Sequence, residues 1–135
     1  MLPSPLTVEA GTNFIFGPST YLSVESQGSL NALGSAGNLI RFMGEQSVEG
    51  SWSGIRFTNS ASVNNEFQYC DFGSGGSDPS WDAMIYLYYG ARLKLGNSSI
   101  HNSYTWGLIE YQGTNTFIND GNNSFYGNLQ GDIGN

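Results

Sequence analysis

The chain has 135 residues, 11% of them charged, and 11 acidic against 4 basic residues leave a formal charge of −7. One domain of this length can bury a sizeable core, whereas so few scattered cations exclude a phosphate-backbone partner or an anionic membrane surface. The single cysteine, Cys70, excludes a disulfide framework and a cysteine-based zinc site, and no run of about 18 apolar residues offers a membrane-spanning helix.

The amino end, "MLPSPLTVEAG", has neither a basic n-region nor an apolar h-region. Low lysine, 14% aromatics and abundant Asn, Ser and Gly fit an exported bacterial protein, of which this chain is then expected to be a trimmed piece. From there short alternating runs follow one another: "LTV" at 6, "FIF" at 14, "LSV" at 22, "LNAL" at 30 and "IRF" at 40. They continue as "IRF" at 55, "FQY" at 67, "MIYLY" at 84, "LKL" at 93, "LIEY" at 108 and "FIN" at 117. Turns rich in Gly, Asn and Ser separate them, and no segment sustains a helical period. Many short strands at even spacing predict a sandwich, a barrel or a solenoid.

A longer period selects the solenoid. Leu6, Phe14, Leu22 and Leu30 are eight apart. Three families of strands recur near every 25 residues: Ile55, Ile85 and Leu108; Phe42, Phe72, Ile100 and Phe125; Phe67, Leu93 and Phe117. The spacing predicts an all-β, right-handed, three-sided parallel β-helix of four to five coils occupying residues 1–135. In such a coil, inward residues pile into apolar columns and no single turn is stable alone. Aligning Ile100 with Phe125 sets Asn97 with Asn122, Ser98 with Asn123 and Ser99 with Ser124, a polar turn ladder in which Cys70 matches Ser98. Two connections between the same strand families are long, "MGEQSVEGSWS" at 43–53 and "GSGGSDPSWDA" at 73–83, and should emerge one above the other on one edge. The matching connection at 101–107, "HNSYTWG", is short.

Taken together, "LTVEAG", the second coil after it, "SWSGIRF" with Trp52, Gly54, Ile55 and Phe57, and "LKLGNSSIHNSYTWGLIEY" resemble exported bacterial parallel β-helix proteins with pectate-lyase-like coils. The resemblance covers nearly the whole chain. It implies the fold, and a segment of a larger secreted protein. It does not fix an activity, because that scaffold carries lyases, hydrolases, adhesin stalks and binding modules alike.

The equipment of catalytic β-helices is absent from the sequence: there is no "DD", "NTD" or "HG". Arg92 and Lys94 should point outward where Leu93 and Leu95 point in, with no carboxylate cluster to hold a metal beside them. His101, the only histidine, should also face outward near its turn as a lone surface residue. Glu45 and Glu49 on one long loop and Asp78 and Asp82 on the next are the weak catalytic candidates, as a glycosidase pair. Asp78 and Asp82 are also weak candidates for metal. No cofactor is implied; Ca²⁺ is the ion such an acidic edge would suit.

The three tryptophans, Trp52, Trp81 and Trp106, each precede an apolar run, either to pack a corner of the coil or to lie on sugar rings. With Ile55, Ile85 and Leu87 inward, Arg56, Tyr86, Tyr88 and Tyr111 form an outward patch beside Trp81 and Asp82, the expected ligand-binding residues. The same register turns Glu110 inward, a burial cost that a bulge near Gly107 would relieve. The expected function is therefore an extracellular, non-catalytic surface or stalk module that binds polysaccharide through an aromatic face. The alternatives are a polysaccharide lyase or glycoside hydrolase, and a structural segment self-associating end to end through uncapped coils. Nucleic acid and membrane insertion are excluded as partners.

Overall fold

Alternating short apolar runs, each closed by a turn residue, leave the chain no way to bury its inward side chains except against the next coil. The computed structural model describes residues 4–135, so the first three residues of the amino end lie outside it. The first coil is β1 (Pro5–Val8), β2 (Asn13–Phe16) and β3 (Tyr21–Val24). The second is β4 (Ser29–Leu33), β5 (Ile40–Gly44) and β6 (Gly54–Thr58). β7 (Glu66–Gln68), β8 (Cys70–Gly73) and β9 (Ala83–Tyr88) make the third. β10 (Arg92–Gly96), β11 (Ser99–His101) and β12 (Trp106–Glu110) make the fourth. The fifth is β13 (Thr116–Asn119), β14 (Ser124–Tyr126) and β15 (Gly131–Gly134), reached through a 3₁₀ turn at Tyr111–Gly113.

Three parallel five-stranded sheets result: β1-β4-β7-β10-β13, then β2-β5-β8-β11-β14, then β3-β6-β9-β12-β15. This is the three-sided parallel β-solenoid that the periods predict, with five coils. The columns in the core are the predicted ones on two sides. Phe14, Phe42, Phe72, Ile100 and Phe125 lie in register on the second sheet. Rings 14, 42 and 72 stack with centroids 4.8 Å apart at each step. Leu22, Ile55, Ile85 and Leu108 likewise lie in register on the third sheet.

The first sheet differs. Phe67 lies opposite Leu95, while Leu93 lies opposite Phe117. β7 has only three residues and pairs with the latter parts of β4 and β10. The slip is two residues, so inward side chains remain inward.

Trp52 is the corner device. It is fully buried, stacks on Phe16 at 4.2 Å and donates Nε1–H to the Gly73 carbonyl at 2.8 Å. Gly75 makes room for it: a β-carbon there would stand 2.9 Å from Met84 and 3.1 Å from the indole. Polar rungs close the other corners. Asn65, wholly buried, accepts from the Leu30 amide at 2.9 Å and donates to Ser60, whose hydroxyl in turn reaches the Gly28 carbonyl. The Asn97–Asn122 and Ser98–Asn123 rungs are present, and the Cys70 amide donates to Ser98 Oγ at 3.1 Å.

No bulge relieves Glu110. β12 keeps the same offset on β9 on both sides of Gly107, so no residue is inserted, and Glu110 sits opposite inward-facing Leu87. β15 pairs only as far as Ile109, so Glu110 stays half-exposed at the strand end and keeps access to water.

Candidate ligand-binding face

On the outer surface of the third sheet the register sets Ser23, Arg56, Tyr86 and Ile109 in one row, and Thr58 beside Tyr88 in the next. Aromatic side chains join across these rows. Tyr86 and Tyr111 lie 5.8 Å apart, Tyr88 and Tyr111 5.5 Å, and Tyr88 and Tyr89 5.8 Å. At the other end the Arg56 guanidinium lies 4.3 Å from the Trp81 ring centre and 5.6 Å from that of Tyr21. Tyr21 meets Trp81 edge-on at 4.8 Å. The strip runs over four coils, from Tyr21 on β3 to Tyr111 after β12.

Its depth differs from the sequence expectation. Trp81 and Tyr86, expected to touch a ligand, are each only 7% exposed. They form a second apolar cluster outside the sheet with Ala83 and Ile109, and Trp106 packs against it. Outward residues of a parallel stack cover one another, so the middle of the strip becomes a floor. The accessible rim is Tyr21, Tyr88, Tyr89 and Tyr111, at 37–66% exposure. Tyr21 and Tyr89 were not among the expected residues. The inward phase of Leu22 and Val24 marks Tyr21 as outward; Tyr89 carried no such signal, because it sits in a turn at φ +60°. Burial raises the Tyr86 phenol above its usual pKa, with Tyr111 and Tyr88 adding to the effect.

Arg56 is unusual in another way. Arg41 lies 4.0 Å from Asp71, and Lys94 lies 3.9 Å from both Glu66 and Asp120. Among the described residues neither Arg56 nor Arg92 has a carboxylate within that reach, and the Nε of each is buried without a hydrogen-bond partner. Arg92 and Lys94 do point outward from β10, between buried Leu93 and Leu95.

The long loops stack as expected. The Gly50 amide donates to Gly75 O at 3.1 Å and Ser51 to Ser74 O at 2.8 Å, and Tyr104 of the next connection donates to Gly75 O at 2.9 Å. Glu45 and Glu49 are exposed on the lower loop. Asp78 Oδ1 accepts from the Ser80 amide at 2.8 Å, and the Asp82 amide donates to the Asp78 carbonyl at 2.9 Å. Asp82, at φ +58°, turns the chain into β9. Among the described residues no three His, Cys, Asp or Glu side chains gather to hold a metal.

His101 is not alone. Its Nε2 lies 2.7 Å from Asp71 Oδ1 and its Nδ1 2.6 Å from Asn102 Oδ1, while its ring stacks on Tyr126 at 4.8 Å. The hydrogen bond to Asp71 raises its pKa against the opposing effect of burial. When protonated, the ring can donate to both oxygens, so His101 ties Asp71 of the coil below to Asn102 of its own turn. The signal lay in the register: aligning Ile100 with Phe72 puts His101 beside Gly73, where the missing β-carbon lets the ring reach down to Asp71.

The chain matches no family model, no curated protein and no solved structure.

Proposed function

We propose that this chain is a non-catalytic module of an exported β-helix protein of the pectate-lyase-like kind, and that it binds polysaccharide along the aromatic strip of the third sheet. The observation that carries the reading is the strip itself: four partly exposed tyrosines on a rigid parallel scaffold, with a guanidinium among the aromatics. Aromatic faces stack on the apolar face of sugar rings, while phenol and guanidinium groups at their edges hydrogen-bond hydroxyls. The stacked coils hold the rim tyrosines in fixed positions along one face. An exposed aromatic row of this extent is uncommon without a partner. The resemblance to exported proteins, and the extracellular setting it implies, agree with such a ligand.

The test is affinity electrophoresis in gels containing neutral or acidic polysaccharides, together with a reducing-sugar assay. Tyr88→Ala and Tyr111→Ala should each weaken retardation about tenfold, on the order of 1.4 kcal/mol, at unchanged melting temperature and with no product released. Product formation that disappears on a single change at Glu45, Glu49, Asp78 or Asp82 would instead assign a hydrolase or lyase.

A further inference from the structure

Beside the strip, where the stacked loops run into the third sheet, lies a cleft of about 280 Å³ lined by Ser19, Tyr21, Ser53, Ser77, Asp78 and Ser80. Three coils build it at one angular position: Ser19 comes before β3, Ser53 before β6, and Ser77 to Ser80 before β9. The stacking is held by backbone bonds. The Ser53 amide donates to Thr20 O at 2.9 Å, and the Ser77 amide to Trp52 O at 3.2 Å.

The hydroxyls of Ser53 and Ser77 consequently meet at 3.2 Å. A hydroxyl carries one donor and two acceptor sites, so the pair retains one proton and several lone pairs for a guest. Asp78 spends Oδ1 on the Ser80 amide, which fixes its carboxylate and leaves Oδ2 as a further acceptor. Tyr21, 48% exposed, forms the aromatic wall, and its contact with Trp81 makes the cleft continuous with the strip.

We infer that this cleft is a subsite for one neutral sugar unit of the glycan held on the strip, an inference that rests on the strip's being the glycan site. The volume sits at the small end of ligand pockets, enough for a single ring stacked on Tyr21. The lining is rich in acceptors, which suits the hydroxyl protons of a polyol, and the paired serines return a donor. A unit bearing a carboxylate or sulfate would bring like charge against Asp78. Among the described residues no cation lines the cleft; Arg56 is outside the lining, its guanidinium held 4.3 Å from the Trp81 ring centre and 5.6 Å from that of Tyr21. A site that hydrogen-bonds hydroxyls discriminates strongly against a unit that leaves its buried polar groups unpaired.

Isothermal titration with cellohexaose, mannohexaose, xylohexaose and hexagalacturonate tests the inference on the wild-type chain and three variants. Asp78→Asn removes the charge and keeps an oxygen for the Ser80 amide. Ser80→Trp, at an exposed position, fills the cleft. Tyr88→Ala weakens the strip alone. The wild type should bind at least one neutral hexamer about tenfold or more tightly than hexagalacturonate. Asp78→Asn should narrow that ratio by roughly tenfold, and Ser80→Trp should weaken the neutral hexamer by a similar factor. Tighter binding of hexagalacturonate by the wild type overturns the inference. If Tyr88→Ala weakens binding while Asp78→Asn and Ser80→Trp change neither affinity nor preference, the strip stands and the cleft does not. If no hexamer binds, the strip reading falls and the cleft falls with it.

Discussion

His101 is held by three neighbours from three coils: Asp71 below, Asn102 beside it and Tyr126 above. Its pKa is raised in the folded chain. The stability it contributes is therefore complete below the unfolded value of about 6.5 and is lost as pH rises through the folded value. In thermal melts, the difference between wild type and His101→Gln should be largest below about pH 6 and should shrink as pH rises through neutrality. A difference that does not vary with pH contradicts the ion pair. Cys70 gives a second residue-scale prediction. Burial pushes its thiol up to about 12, and its Sγ lies 3.4 Å from the Ala32 carbonyl. Native protein should resist iodoacetamide at pH 8 and react only when unfolded, because the thiolate is the reactive species. Rapid labelling of the native chain would contradict that burial.

At the scale of the element, the turns matter as much as the strands. Asn65 satisfies the Leu30 amide and the Ser60 hydroxyl at a wholly buried corner. Asn65→Ala leaves the buried Leu30 amide without its acceptor and takes a donor from Ser60, and should cost about 1–3 kcal/mol in urea unfolding; a change under about 0.5 kcal/mol would place it among ordinary surface substitutions. Strand identity and facing were legible in the sequence because alternation fixes facing whatever the register. Ile55, Ile85 and Leu108 also fell into one column, because their longer strands keep the register that the spacing gives. Phe67 and Leu93 did not, because the three residues of β7 slide along their partners and no side-chain pattern in so short a strand pins its register. The Asp71–His101 pair escaped for a related reason. It depends on which residue of β8 lies beside β11, and only the empty position at Gly73 made the reach open. The burial of Trp81 and Tyr86 was illegible because outward residues are covered by other outward residues, a contact between coils that a one-coil alternation pattern does not contain.

Over the whole molecule, stability accrues from interfaces between coils, so the middle coils should be the most protected and the terminal ones the first to open. Phe72 has a stacked ring on Phe42 and is wholly buried, whereas Phe125 in the last coil is only partly buried. Phe72→Ala should cost about 3–5 kcal/mol, and Phe125→Ala clearly less; equal costs would contradict the one-dimensional account. The same rigidity would serve the proposed binding face, since it holds rim tyrosines from the first, third and fourth coils in fixed relative positions. The most direct test is aromatic ¹³C–¹H NMR during titration with a polysaccharide that retards the protein in gels. The resonances of Tyr21, Tyr88, Tyr89 and Tyr111 should shift together and saturate at one concentration, while Tyr126 on the second sheet stays still. Shifts confined to Tyr126 and His101, or rim tyrosines that stay unmoved at saturation, would contradict the assignment of the strip as the binding face.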